Sequence, residues 1–368
     1  MKKQLLCSSA IAFGVAAAAP ASAAEWNLDW GGFFNAHVAI GDISGSAIPA
    51  GVDPDGDSLD LLQNTEIIFT PSITLDNGIK FGINIQMEGS NGGGGIDGID
   101  ESYMTISGSF GQFDIGSENS AGYKSMVAGP STTALFINSP SISSFVPFSL
   151  VHAGSFRQAG LSSYTEVAGN NDINRITYYT PSFSGLTVGV SYAPSAGVNA
   201  QSGFNGDRNT VVSDIFDIGV NYGGSFGGAD VSFGARWGTG NAPTGAGGDP
   251  ETWGIGAQGG FSGFSIGGSY AENDIGGVSG AGDQSGWSAG VQYDIPGPWT
   301  VGFEAYLGEA DLGAAGDTEY SAYQLGARRN LGPGVNWDLS LTFVEAEDAT
   351  GTLDVEGTVI GTSINLSF

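Results

Sequence analysis

The sequence predicts an all-β chain, a transmembrane antiparallel β-barrel of sixteen strands, and three observations predict it. Segments of about ten residues with alternating apolar and polar side chains recur along the chain, the period of a strand with one apolar face. The connections between them alternate short and long, as they do when all short turns share one rim of a barrel and all long loops the other. Trp residues gather toward the segment ends, where a barrel in lipid carries its aromatic girdles.

The elements follow in order. Met1, Lys2 and Lys3 form a positive start, Leu5 to Ala19 an apolar run too short to span a bilayer, and Ala21-Ser22-Ala23 a small-residue cleavage site. Residues 1–23 therefore read as a secretory signal, which leaves 24–368 as one barrel domain, moves the net charge from −28 to −30 and removes the one cysteine, Cys7. With no disulfide to staple it, the exported chain relies on a large closed structure.

Sixteen segments then read as strands. The first five are 26–41, 60–75, 79–88, 100–108 and 112–117; Asp76-Asn77-Gly78 and Phe110-Gly111 make the short turns among them. In 79–88, Phe81, Ile83, Ile85 and Met87 oppose Lys80, Gly82, Asn84 and Gln86. Segments 173–183 and 186–193 meet at Ser184-Gly185, 213–222 and 229–238 at Gly223 to Gly228, and 251–261 and 264–271 at Ser262-Gly263. Pro296-Gly297-Pro298 joins 285–295 to 299–308, Gly332-Pro333-Gly334 joins 318–329 to 335–345, and 357–368 closes the chain. These turns have the chemistry that tight hairpins require. In 335–345, Trp337, Leu339, Leu341 and Phe343 oppose Asp338, Ser340 and Thr342.

Composition excludes the competing classes. Ten Lys and Arg against 38 Asp and Glu leave no basic face for nucleic acid. A chain that is 40% hydrophobic and 11% aromatic is not a disordered acidic one, and nothing beyond the N-terminus is apolar for the 18 residues of a membrane helix. A soluble sandwich is the alternative β reading. It would bury several Trp mid-strand, whereas Trp26, Trp30, Trp299 and Trp337 lie near short turns or termini and Trp237, Trp253 and Trp287 near long loops.

Sixteen strands about 4.8 Å apart and tilted about 40° enclose a backbone diameter near 32 Å, roughly 20 Å of it open, which sieves poorly unless something narrows it. The longest connection, about 118–172, carries Leu135, Phe136, Ile137, Ile142, Phe145, Val146, Phe148, Leu150 and Val151. Apolar content of this kind argues against a disordered loop and for a constriction loop packed on the inner wall; an external cap or a subunit contact is the other reading.

Inward parity assigns Lys80, Arg175, Arg236 and Arg328 to the lumen, with Asp114. Glu118, Arg157, Glu166 and Asp172 belong to the constriction loop. Acids facing bases across a narrow opening make a transverse field that favours hydrophilic solutes; the simpler role is mutual charge compensation. Residues 42–60, 88–101, 309–319 and 345–356 hold 18 of the 38 acids and no Lys or Arg, so the outer mouth is negative and a cation preference is expected. Asp53, Asp55, Asp57 and Asp60 surround a Gly in a partial Ca²⁺ pattern that lacks the rest of an EF-hand loop; a solvated acidic loop is the favoured reading and a Ca²⁺ site the alternative. No cofactor is expected beyond that ion.

Two enzyme-like motifs dissolve in context. Gly263 to Gly267 fits G-x-S-x-G but begins a strand after a turn, and Gly254 to Gly259 fits G-x-G-x-x-G with no helix following. His37 and His152 have no nucleophile or metal spacing around them. The chain is read as no enzyme; a hydrolase or a purely structural barrel is the remote alternative.

Arg175 to Leu186, the opening Trp30-Gly31-Gly32-Phe33-Phe34 and the terminal Ile364-Asn365-Leu366-Ser367-Phe368 resemble the general porins of α-proteobacteria. The resemblance implies a homotrimer of sixteen-stranded outer-membrane barrels with the third external loop folded inward. It also implies that Ile364, Leu366 and Phe368 form the strand read by the barrel-assembly machinery. The partners it implies are outer-membrane lipid and lipopolysaccharide, ions and small hydrophilic solutes that diffuse passively. A solute-specific channel for sugars or carboxylates, with Tyr179 and Tyr306 as a lumen track, is the second transport reading.

Overall fold

The computed structural model describes residues 25–51, 59–91, 98–135, 137, 145–147, 151, 166–200, 208–277 and 282–368. Among them the strands are β1 (Trp30–Ser44), β2 (Asp60–Phe69), β3 (Ser72–Thr74), β4 (Lys80–Asn91), β5 (Ile99–Gly108) and β6 (Gly111–Glu118). Next come β7 (Ile173–Tyr179), β8 (Leu186–Ser195), β9 (Ser213–Phe226), β10 (Ala229–Asn241), β11 (Glu251–Phe261) and β12 (Phe264–Asp274). The last five are β13 (Asp283–Asp294), β14 (Trp299–Asp311), β15 (Asp317–Gly332), β16 (Val335–Glu347) and β17 (Asp354–Ser367). The one α-helix among the described residues, α1 (Ala121–Ser125), is a single turn.

Each strand pairs antiparallel with its sequence neighbour, and β1 pairs with β17 from Phe33↔Ser367 to Ser44↔Glu356, which closes the sheet. Both β2 and β3 pair with β4 and are one stave interrupted at Thr70-Pro71. Proline has no N–H for the ladder and sits where a strand breaks. The barrel therefore has sixteen staves, and closure leaves no open sheet edge, the condition for backbone in lipid. No helix among the described residues is long and apolar enough to cross a membrane.

The two faces are inverted relative to a soluble sheet. Leu61, Ile255, Ile266, Phe303, Leu325 and Ile360 are exposed on the outside, while Asp217, Thr252, Asn273, Gln324 and Thr342 are buried on the inside. A lipid-facing exterior accounts for this directly. Trp253, Tyr270 and Trp287 form a chain of ring contacts at 5.2 and 4.4 Å toward the long-loop rim. Trp299 and Trp337 meet at 5.7 Å, and Phe264 and Tyr293 at 4.4 Å, toward the short-turn rim. These are the two girdles expected from the Trp positions.

Several boundaries move. β9 runs on to Phe226, so Gly227-Gly228 alone make that turn. β1 begins at Trp30; ahead of it Asn27 forms an isolated bridge with Ser72. Ser262 and Gly263 both take positive φ, +52° and +83°, in a two-residue hairpin turn. The G-x-S-x-G motif thus lies in a strand-to-strand connection. Residues 1–24, with Cys7, fall outside the described residues, as do Arg157, His152, Asp53, Asp55 and Asp57.

Candidate functional site

Beyond β6 the chain turns into the barrel and crosses its inner wall. Ser120 caps α1 by accepting the Tyr123 N–H at 3.1 Å, satisfying one of the free amides of a helix start. Ala121 N donates to Ser191 Oγ on β8 (3.1 Å), and Asn221 Nδ2 on β9 donates to the Ser125 carbonyl (3.0 Å). Gly129 N then donates to Ser288 Oγ on β13 (3.3 Å), Ser131 Oγ to Glu304 on β14 (2.7 Å), Thr133 Oγ1 to Gln324 on β15 (2.6 Å), and Ala134 N to Asp338 on β16 (2.8 Å). Ile137, Phe145 and Val146 are buried against Ala39, Ile43, Tyr306, Tyr320, Val344, Val355 and Val359. The apolar content of the loop is thus matched by an apolar patch on the inner wall, and each such side chain removed from water contributes about 1.5–3 kcal/mol.

This path corrects two expectations about the lumen. Arg175 and Arg236 do face inward, but their side chains are 1% and 0% exposed, beneath the loop. Arg236 Nη2 donates to Asp217 Oδ1; Arg175 Nη1 lies 3.8 Å from Glu166 Oε2 and 3.9 Å from Asp217 Oδ2. Glu166 Oε1 accepts the Ser120 N–H at 2.7 Å, and Arg175 Nη2 donates to the Asn170 carbonyl at 3.0 Å. Two cations and two anions thus bind the root and the return of the loop to the wall and touch no open water. Burial pushes the Glu166 carboxyl above the usual carboxylate range, against the pull of Arg175 beside it. Tyr306 is 1% exposed within the apolar patch, so it lines no solute track. Parity reports which face a residue takes and carries no information on what covers that face.

The other predicted residues divide. Arg328 keeps a third of its side chain exposed and forms a bidentate pair with Asp338 at 2.8 and 2.7 Å. Lys80 is exposed on the inner face at the short-turn rim. Asp114 and Glu118 are buried; Asp114 accepts from Gln112 at 2.9 Å. Asp172, at φ +49°, accepts Ser117 Oγ with its carbonyl. Its carboxyl is pushed up to about 9 by burial and then by Asp100 and Glu101 nearby. Asp60 starts β2, and no group of three or more His, Cys, Asp or Glu among the described residues is arranged to hold a metal.

Lys124 was not legible as a site residue. Its ammonium lies 2.6 Å from Glu118 Oε2 and 4.5 Å over the Tyr103 ring, beside a niche of about 470 Å³ lined by Tyr103, Gln112, Asp114, Tyr179 and Thr180. A five-residue helix is too short to leave a period in the sequence. Toward the long-loop rim, on the outward face that also carries Trp287, Leu307 and Phe343, carboxylates stand directly opposite one another across strands: Asp283, Asp311 and Asp317 in one row, Glu309, Glu319 and Glu347 in a second, Glu345 and Glu356 in a third.

The fold is similar to solved outer-membrane proteins. An anion-selective porin from Comamonas acidovorans matches with a TM-score of 0.59 at 20% identity over 94% of this chain and 100% of its own. The trimer form of OmpT from Vibrio cholerae matches at 0.57 and 14% identity over 93% and 99%. A variant of the Rh. blastica porin matches at 0.53 and 17% identity over 93% and 100%. Among curated proteins no sequence matches. The sequence profile described as Gram-negative porin matches residues 8–349, and with the closed barrel it establishes that this chain belongs to the Gram-negative porins, channels of the outer membrane.

Proposed function

We propose that the chain is a general diffusion porin: ions and small hydrophilic solutes cross it passively, with no cofactor and no chemical step, and cations cross more readily than anions. The connection of about 118–172 acts in this reading as the constriction loop. The cation preference is carried by one observation. The outer flank of the long-loop rim carries carboxylates directly opposite carboxylates, with no cation among them, while Arg175 and Arg236 on the inner wall are taken up by Glu166 and Asp217. The anion selectivity of the Comamonas protein accompanies a shared fold at 20% identity, which does not extend to the charges of either mouth.

The reading includes a homotrimer in outer-membrane lipid and lipopolysaccharide, of the α-proteobacterial kind that residues 175–186 resemble. Ile364, Leu366 and Phe368 are exposed on the outside of β17 and at its end, as contact with an assembly machinery requires. A solute-specific channel is the second reading, favoured by the niche beside Lys124, where two tyrosines flank an ion pair. Planar-bilayer recording separates the two. A reversal potential of cation sign in a KCl gradient with step conductance indifferent to added sugars supports the first; saturable block by a sugar or carboxylate supports the second; anion sign refutes the preference.

A further inference from the structure

We infer that the height of the constriction loop above the wall, and with it the bore, is set by six inner-wall glycines whose missing side chains form a groove for the loop. The inference rests on the reading that this loop narrows the pore. The glycines are Gly219 on β9, Gly234 on β10, Gly256 on β11, Gly290 on β13, Gly302 on β14 and Gly326 on β15. A Cβ on any of them would meet a loop atom inside 3 Å. At Gly219 that atom is the Ala121 carbonyl oxygen, at Gly234 the Val127 nitrogen (2.7 Å), and at Gly256 the Val127 carbonyl. At Gly290 it is the Pro130 carbonyl oxygen (2.5 Å), at Gly302 Thr132 Oγ1, and at Gly326 Thr133 Cγ2 (2.8 Å).

The stride fits an extended chain laid across a sheet. Six strand spacings of about 4.8 Å span roughly 29 Å, and the eight steps from Ser125 to Thr133 at about 3.3 Å each reach about 26 Å, slightly less because the loop runs inside the curve. The groove also has sides. Two residues from a glycine on the same strand, and so on the same face, stand Asn221, Ser288, Gln292, Glu304 and Gln324, and each hydrogen-bonds the loop. These polar neighbours fix where the loop runs; the glycines fix how deep it lies. Inward glycines off this path behave differently: a Cβ at Gly82 would meet Thr105 of the next strand, and one at Gly361 would meet Ser340. Curvature alone therefore does not account for the six, whereas close approach of the loop does: its backbone at Gly219, Gly234, Gly256 and Gly290, and threonine side chains at Gly302 and Gly326. A loop seated in this way over 121–133 is a fixed wall of the pore and not a gate.

The test uses the full chain with Cys7→Ser and Ala128→Cys, because Ala128 is buried in the seated loop. Gly256→Val and Gly290→Val are compared with Gly259→Ala, an outward position where a Cβ meets only a backbone oxygen at 3.9 Å. Reconstituted in planar bilayers and in vesicles, the groove variants are expected to change the single-channel conductance and to label the thiol with a small methanethiosulfonate at least about tenfold faster. The Gly259→Ala control is expected to do neither. Unchanged labelling and conductance in the groove variants overturn the inference. Faster labelling with unchanged conductance overturns instead the reading that this loop narrows the pore. Should the valine variants not assemble, hydrogen exchange of the unaltered protein decides: amides of 121–133 exchanging as fast as exposed loop amides overturn the inference, and slow exchange supports it.

Discussion

Asp217→Ala is the sharpest perturbation available. It leaves Arg236, fully buried, without its carboxylate, and Arg175 with Glu166 as its one remaining acidic neighbour within 4 Å. At 3.9 Å and an effective dielectric near 20, the Arg175–Asp217 attraction alone amounts to about 4 kcal/mol. Part of that is offset because the desolvation cost of burying the Asp217 carboxylate disappears with it. Stranding a buried partner charge nevertheless costs about 3–5 kcal/mol, so the variant should lose that much. Replacing the charge partner as well, in Asp217→Ala/Arg236→Met, removes the stranded cation and should restore most of the loss, since apolar replacement of a buried pair is close to neutral. The assay is urea unfolding in micelles, followed by Trp fluorescence and by the electrophoretic shift between folded and unfolded barrel. A single variant within about 0.5 kcal/mol of the parent, the range of an inert surface change, would refute the reasoning, and so would a double variant no better than the single one.

The remaining predictions concern pH, the mouth and the covered wall. The raised carboxyl of Asp172 favours the folded state most below the unfolded carboxylate pKa near 4 and loses that advantage as pH climbs toward about 9; Asp172→Asn should flatten this part of a stability–pH profile, and an unchanged slope counts against the assignment. Exchanging Glu309, Glu319 and Glu347 for Gln should lower the cation-to-anion permeability ratio in 0.1 M KCl and have little effect in 1 M, because the screening length falls from about 10 to about 3 Å; reversal potentials at the two salts decide. The Tyr306 hydroxyl is buried with no hydrogen-bond partner among the described residues, so Tyr306→Phe should leave stability level or raise it by up to about 1 kcal/mol while solute flux stays as it was. A fall in flux would return Tyr306 to the lumen.

The strands were legible because lipid imposes one rule on all of them: alternate side chains must be apolar while the intervening ones meet the interior. Trp337 to Phe343 and Phe81 to Met87 carry that rule in full, whereas 60–75 reads as one strand and its break at Thr70-Pro71 emerges only in the structure. The loop path was half legible. Ile137, Phe145 and Val146 declared that something apolar must receive them, and the receiving patch lay in residues such as Ala39, Val344 and Val355, which alternation alone does not distinguish from small lumen residues. The groove was invisible for a different reason. A glycine that seats a foreign backbone and one that eases a turn are the same letter, and only the loop atom opposite tells them apart. Arg175 and Arg236 failed in the same manner: the face was right, and the depth depended on a segment more than forty residues away.

That failure bears on selectivity. An arginine on the inner wall reads at first as a positive pore charge, and two such arginines would oppose the acidic mouth. Each is instead matched to carboxylates within 4 Å, Arg328 is matched to Asp338, Lys124 to Glu118 and Arg208 to Asp214. Pairs of this kind cancel within a few ångströms, well inside the screening length of about 8–10 Å at physiological salt, and leave almost nothing for an ion in transit to sense. The rim rows differ because each carboxylate faces another carboxylate across the strands, so their fields add. These side chains take the outward parity of Trp287, Leu307 and Phe343, so the added field lies on the outer flank of the long-loop rim, and reversal potentials at two salts decide whether ions entering the pore sense it.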